Sequence, residues 1–200
     1  MDTYPQWKVS LLQAAGELVL ALVALPFYIF LVLPKYAEGK LPGYSPIIAE
    51  GVNPFLAVAF ALAVFAAGLG LGILLVLIFG RDRVITDEVD HLANDYSLIE
   101  LIPGYVAAGF AEEFLFRVVC VDLCGVIIAS ILFTAAHFSY WKHPLPMVDV
   151  FILGLLFGCL YVFTQSLLLC ALVHFAYNMA ITHLVKSGFM TRVSMGRKNA

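Results

Sequence analysis

Apolar residues in this chain run in long uninterrupted stretches broken by short polar segments, which is the pattern of helices that cross a bilayer. Residues 11–33 form a first such stretch, polar at Gln13 and Glu17, with a bend expected near Pro26. Residues 34–54 are rich in Pro and Gly and close with Asn53-Pro54, so they read as a loop. A second stretch, 55–79, has no charge and carries Gly68-x-x-x-Gly72, which permits close helix approach. A third covers 101–121. A tight junction at 122–125 leads into a short fourth that reaches about Phe138. After a turn containing Pro144 and Pro146, residues 147–163 and 167–185 supply the fifth and sixth, joined by Thr164-Gln165-Ser166. The pattern predicts an all-α polytopic membrane bundle of about six transmembrane helices, with no internal repeat and no separate soluble domain.

The segment between the second and third stretches is different. Over 81–100, Ile85, Val89, Leu92, Tyr96 and Ile99 recur at helical spacing among Asp87, Glu88, Asp90 and Asp95. An amphipathic connector is expected there, at the membrane surface or over the core. Its acidic face disfavours docking on anionic lipid. Residues 186–200 read as a basic, polar tail. The expected organisation is two N-terminal spans plus connector over 1–100, a core over 101–185 with four catalytic helices, and the tail.

Composition agrees: 62% of the 200 residues are hydrophobic, 12% are charged, and mean hydropathy is +0.97. The net charge of −3 and the lack of any basic block exclude a nucleic-acid partner. The four cysteines match no zinc or redox spacing and read as packing residues. The first apolar run is too long for a signal-peptide core and has no cleavage pattern, so it is expected to be retained. With six spans, Lys8, Arg81, Arg83, Lys142, Lys186, Arg192, Arg197 and Lys198 share one side, against Lys35 and Lys40 on the other. Positive residues favour the cytoplasmic face, so both termini are expected in the cytoplasm of a plasma or inner membrane.

The candidate chemistry begins at Glu112-Glu113-Phe114-Leu115-Phe116-Arg117, which sets three ionisable groups inside an apolar run. A single charge at a membrane helix centre costs at least about 2.5–3.5 kcal/mol, so these groups need internal partners. Glu113 and Arg117 are four apart and can pair on one helix face, whereas Glu112 points about 100° away with no partner in its own helix. Two further i, i+4 pairs fall in apolar helices, Phe133-x-x-x-His137 and His174-x-x-x-Asn178. Convergence of these groups on one site allows two chemistries. In one, Glu112 with His137 deprotonates a water while His174 and Asn178 stabilise the oxyanion of an amide under attack. In the other, Glu112, His137 and His174 ligate Zn²⁺, which lowers the pKa of its bound water to about 7. The sequence leaves both open, and the cofactor is none or Zn²⁺.

These three motifs, in this order, resemble those of the CPBP intramembrane proteases, the CAAX-protease and bacteriocin-processing (ABI) family. Gly154-x-x-x-Gly158-x-x-Tyr161 and Ser166-Leu167 leading into Leu172-x-His174 are similar to that family's last core helices. The resemblance covers roughly 101–185. It implies a helical membrane endopeptidase that cleaves a membrane-anchored peptide or protein near the bilayer surface. It also implies that the first Glu and the motif-two His activate water, that the last His and Asn form the oxyanion site, and that the second Glu pairs with Arg. Only nineteen residues separate Arg117 from His137, so a tilt or break must return His137 to the level of Glu112. Two other readings stand beside it: a non-catalytic scaffold or subunit of a membrane complex, and a proton or ion carrier.

Overall fold

A computed structural model of the chain describes residues 6–41 and 47–196. The expected basic positions Arg197 and Lys198, and part of the loop that follows the first span, lie outside them. The described residues form ten α-helices, two π-helical segments and one 3-10 turn. Five segments are long and apolar enough to cross a membrane: Leu12–Ala37, Pro54–Phe79, Leu98–Ala136, Pro144–Thr164 and Leu167–Lys186. The chain is thus an all-α, integral membrane bundle.

The first span is α1 (Gln6–Phe27), a π-helical segment (Tyr28–Val32) and α2 (Leu33–Ala37). The π segment begins two residues after Pro26, whose missing N–H breaks the regular ladder where the bend is expected. The second span, α3 (Pro54–Phe79), is capped by Asn53, whose side chain accepts from the backbone N–H of Phe55 at 2.9 Å.

The connector is two short helices, α4 (Arg81–Val84) and α5 (Asp87–Asp95), interrupted at Ile85-Thr86. Val84 and Ala93 pack with Leu75 and Val76 of α3, and Leu145, at the start of the fourth candidate span, packs against them. Lys186 Nζ donates to the carbonyls of Ala93 and Tyr96 at 2.8 and 3.0 Å, tying the end of α5 to the core. The connector therefore lies over the core.

The third segment decides the architecture. It consists of α6 (Leu98–Glu113), a second π-helical segment (Phe114–Val121) and α7 (Asp122–Ala136). Ser97 and Glu100 form a reciprocal capping box that starts it. At Gly125 the backbone turns to φ 81°, ψ 168°, a conformation open to glycine and costly for other residues. The chain there folds back on itself. The rings of Phe116 and Phe133 lie 5.1 Å apart, where a continuous helix would separate them by about 25 Å. The expected third and fourth spans are the two arms of this hairpin. The returning arm, 126–136, is only about 16 Å long, roughly half a hydrocarbon core, so the short fourth span expected there is a half-span. Asp122, beside the turn, accepts hydrogen bonds from Tyr36 and, at 3.0 Å, from Tyr161.

The remaining helices are α8 (Pro144–Thr164) and α9 (Leu167–Lys186), followed by α10 (Phe189–Gly196). Ser166 caps α9 through the N–H of Leu169 at 3.1 Å. The region expected as a polar tail carries α10, whose Met190 is fully buried against Val84, Ala93 and Val185.

Small residues allow the helices to approach closely. A Cβ at Gly158 would stand 2.5 Å from Val126 Cγ1, and one at Gly109 would stand 2.9 Å from the backbone oxygen of Ala171. The second contact is to rigid backbone, so Gly109→Ala should lower thermal stability by about 1–3 kcal/mol, the usual cost of overpacking. Gly70→Ala, at a position with nothing within 4 Å, should leave it unchanged. Thermal unfolding of the two purified variants in detergent checks the contrast.

Candidate active site

The hairpin and α9 bring the expected residues to one cavity of about 620 Å³. Glu112, His137, His174 and Asn178 all line it, with Phe133 and Phe157 in its walls.

Beneath it sits the second carboxylate. Glu113 and Arg117 are both 0% exposed, so neither charge has water to satisfy it. Arg117 Nε donates to Glu113 Oε2 at 2.7 Å and Nη2 to Oε1 at 3.4 Å, the pairing expected from their spacing. His174, reaching in from α9, donates from Nδ1 to Glu113 Oε1 at 2.9 Å. Glu113 is thereby occupied on both oxygens. The guanidinium of Arg117 also lies 4.9 Å from the ring centre of Phe133 and 5.8 Å from that of Phe157, which cover it from the cavity.

Glu112 is in the opposite condition. Its Oε2 is shielded from solvent and has no hydrogen-bond partner among the described residues. Such an atom in a cavity wall is costly unless a ligand or water completes it.

The two histidines are oriented in the same manner. His137 ends α7, and its Nδ1 donates to the carbonyl of Phe133 at 2.8 Å. A carbonyl can only accept, so the proton sits on Nδ1 and Nε2 keeps its lone pair. His174 likewise commits Nδ1, to Glu113. Phe133 stands between them, its ring 4.7 Å from that of His137 and 6.2 Å from that of His174. The hairpin answers how His137 returns to Glu112. In the register that pairs Phe133 with Phe116, His137 falls opposite Glu112.

The metal reading finds no ready ligand set. Among the described residues no three His, Cys, Asp or Glu side chains gather as metal ligands, and Glu112, His137 and His174 do not form such a group. A catalytic Zn²⁺ takes three protein ligands of these types, so the side chains as arranged do not fit the ion.

The cavity also has polar residues that the motifs do not include. Gln13 and Glu17 of α1 line it, as do Tyr140, Asp149 and Tyr177. Gln13 and Glu17 are themselves an i, i+4 polar pair in an apolar helix, and Asp149 is a carboxylate in another. Those were available signals.

Removing one member of a buried ion pair typically costs about 3–5 kcal/mol. Glu113→Gln should therefore lower thermal stability and folded yield strongly, because Arg117 and His174 both lose their anion. Glu112→Gln should be near neutral in the same melting experiment.

No curated protein and no solved structure matches the chain. A family model does match. Residues 94–180 fit the family described as type II CAAX prenyl endopeptidase Rce1-like. That stretch contains every residue of the three motifs, from Glu112 to Asn178.

Proposed function

We propose that the protein is an intramembrane endopeptidase in which Glu112 and His137 activate water against a peptide carbonyl. The observation that carries this reading is the unpartnered Glu112 carboxylate in a cavity that also holds two histidines with their Nδ1 atoms already engaged. The match to a prenyl endopeptidase family supports the same class of reaction.

In this mechanism a water enters between Glu112 and His137 and gives up a proton as its oxygen attacks the carbonyl carbon. The tetrahedral oxyanion is met by the Asn178 side-chain amide and by His174. With Nδ1 bonded to Glu113, His174 can donate to an oxyanion only when Nε2 also carries a proton. Glu113 favours that imidazolium by facing it with a carboxylate. Collapse of the intermediate breaks the C–N bond, and the proton taken from water passes to the leaving amine. Arg117 has a positioning role: it holds Glu113, and through it the ring of His174. The substrate is a membrane-anchored peptide or protein, and the core is 101–185.

A scaffold using the same network would need Glu113, Arg117 and His174, but it gives no reason to keep a carboxylate at Glu112. Glu112→Gln keeps the shape and removes the proton acceptor, so cleavage of a membrane-anchored peptide should fall by roughly 10²–10⁴-fold in protein of near-normal stability. Full activity in that variant would leave the scaffold reading in front.

The orientation follows from the excess of basic residues on the side of α4, α5 and the C-terminus. Gly125 reverses the chain and α7 returns only part way before α8 leaves, so the termini still share a side. A C-terminal epitope tag should be protected from added protease in intact cells and lost only after lysis. Digestion from outside would reverse the assignment.

A further inference from the structure

Two acids of the cavity have no task in water activation or oxyanion binding. Asp149, in the second turn of α8, accepts from Tyr177 Oη through Oδ2 at 3.1 Å, while its Oδ1 is shut off from solvent and has no partner. A neutral Asp149 would leave its hydroxyl or carbonyl oxygen equally unmatched, so protonation does not remove the deficit. Glu17, from α1, lies on a wall contributed by a different helix and interacts electrostatically with His174. Glu88 is also in the lining, where Ser139 donates to it at 2.8 Å. Glu17, Glu88, Glu112 and Asp149 make four carboxylates in the lining, and no lysine or arginine is among the described residues there. Arg117 does not offset them, because Glu113 and two aromatic rings enclose it.

A cavity with this charge pattern discriminates in both directions. Away from the oxyanion site of His174 and Asn178, a cation entering it meets an acceptor that lacks a partner, whereas an anion meets carboxylates in a medium of low dielectric. We propose that the site takes a peptide carrying a lysine or arginine beside the scissile bond, with Asp149 Oδ1 as the principal acceptor and Glu17 adding to the field, and that it rejects a peptide with a carboxylate there. This rests on the endopeptidase reading for the position of the cut, but not for recognition of the cation.

The test has two arms in detergent. In the first, wild-type protein digests an acylated mixed-sequence peptide library, and the cut sites are read by mass spectrometry. Lysine and arginine should be enriched within two residues of the cut by roughly tenfold over glutamate, the equivalent of about 1.4 kcal/mol. In the second, Glu112→Gln protein binds three acylated fluorescent peptides that differ only in bearing Lys, Gln or Glu at the same positions. The Lys peptide should bind roughly tenfold more tightly than the Glu peptide. Asp149→Asn keeps an oxygen for Tyr177 and removes the charge. Introduced into both proteins, it should reduce each preference to about threefold or less. A flat residue profile at the cut, or equal binding of the Lys and Glu peptides, overturns the proposal. Preferences that survive both Asp149→Asn and Glu17→Gln overturn the assignment to these acids. No cleavage of any library member, with the Lys preference retained in binding, overturns the endopeptidase reading alone.

Discussion

The fold depends on the buried contact among Glu113, Arg117 and His174. Two side chains with formal charge and no exposure each lose several kcal/mol of hydration, and only close pairing recovers it. That requirement fixes three separate parts of the chain at once. Glu113 and Arg117 belong to the first arm of the hairpin, His174 belongs to α9, and Phe133, stacked near the guanidinium, belongs to the returning arm. The polar triad therefore sets the register of helices whose lipid-like surfaces would otherwise slide past one another with little penalty.

The hairpin turns that register into a site. Because Gly125 takes a backbone conformation open to glycine, the chain reverses within one residue, and 126–136 lies against the segment that precedes it. Phe133 then meets Phe116 and Arg117, and His137 arrives opposite Glu112. The π-helical segment from Phe114 to Val121 begins at the residue after Glu113 and contains Arg117. Such widened turns occur often at functional sites, where they redirect side chains. Here the widened turn lies between a carboxylate that is fully satisfied and a hairpin that delivers the first histidine to one that is not. The two adjacent glutamates have opposite conditions for a geometric reason: neighbouring helix positions face about 100° apart.

Residues far from the motifs complete the enclosure. The α1 helix packs along α6 and contributes Gln13 and Glu17, while α5 and the 3-10 turn at Phe138–Tyr140 are joined by the bond from Ser139 to Glu88. Two buried carboxylate oxygens of its lining, Glu112 Oε2 and Asp149 Oδ1, have no partner among the described residues. The buried positive charge is spent on Glu113, so the cavity has an acidic lining.

Features local to the helical period were legible in the sequence. Apolar runs long enough for a bilayer define the spans, and Asn53-Pro54 and Thr164-Gln165-Ser166 mark where two of the helices begin. Four-residue spacing joined Glu113 to Arg117 and isolated Glu112, because a helix fixes those relations without reference to anything else. Relations between helices came only from packing. His174 reaches Glu113 across 61 residues of chain, and the fourth apolar run returns as a half-span rather than crossing. Glu17 and Asp149 enter the cavity, and the polar tail carries a helix anchored by Met190. Each of these depends on which helix faces which, and hydrophobic periodicity cannot specify that when nearly every face is apolar. Packing of small residues and the pairing of buried charge specify it instead.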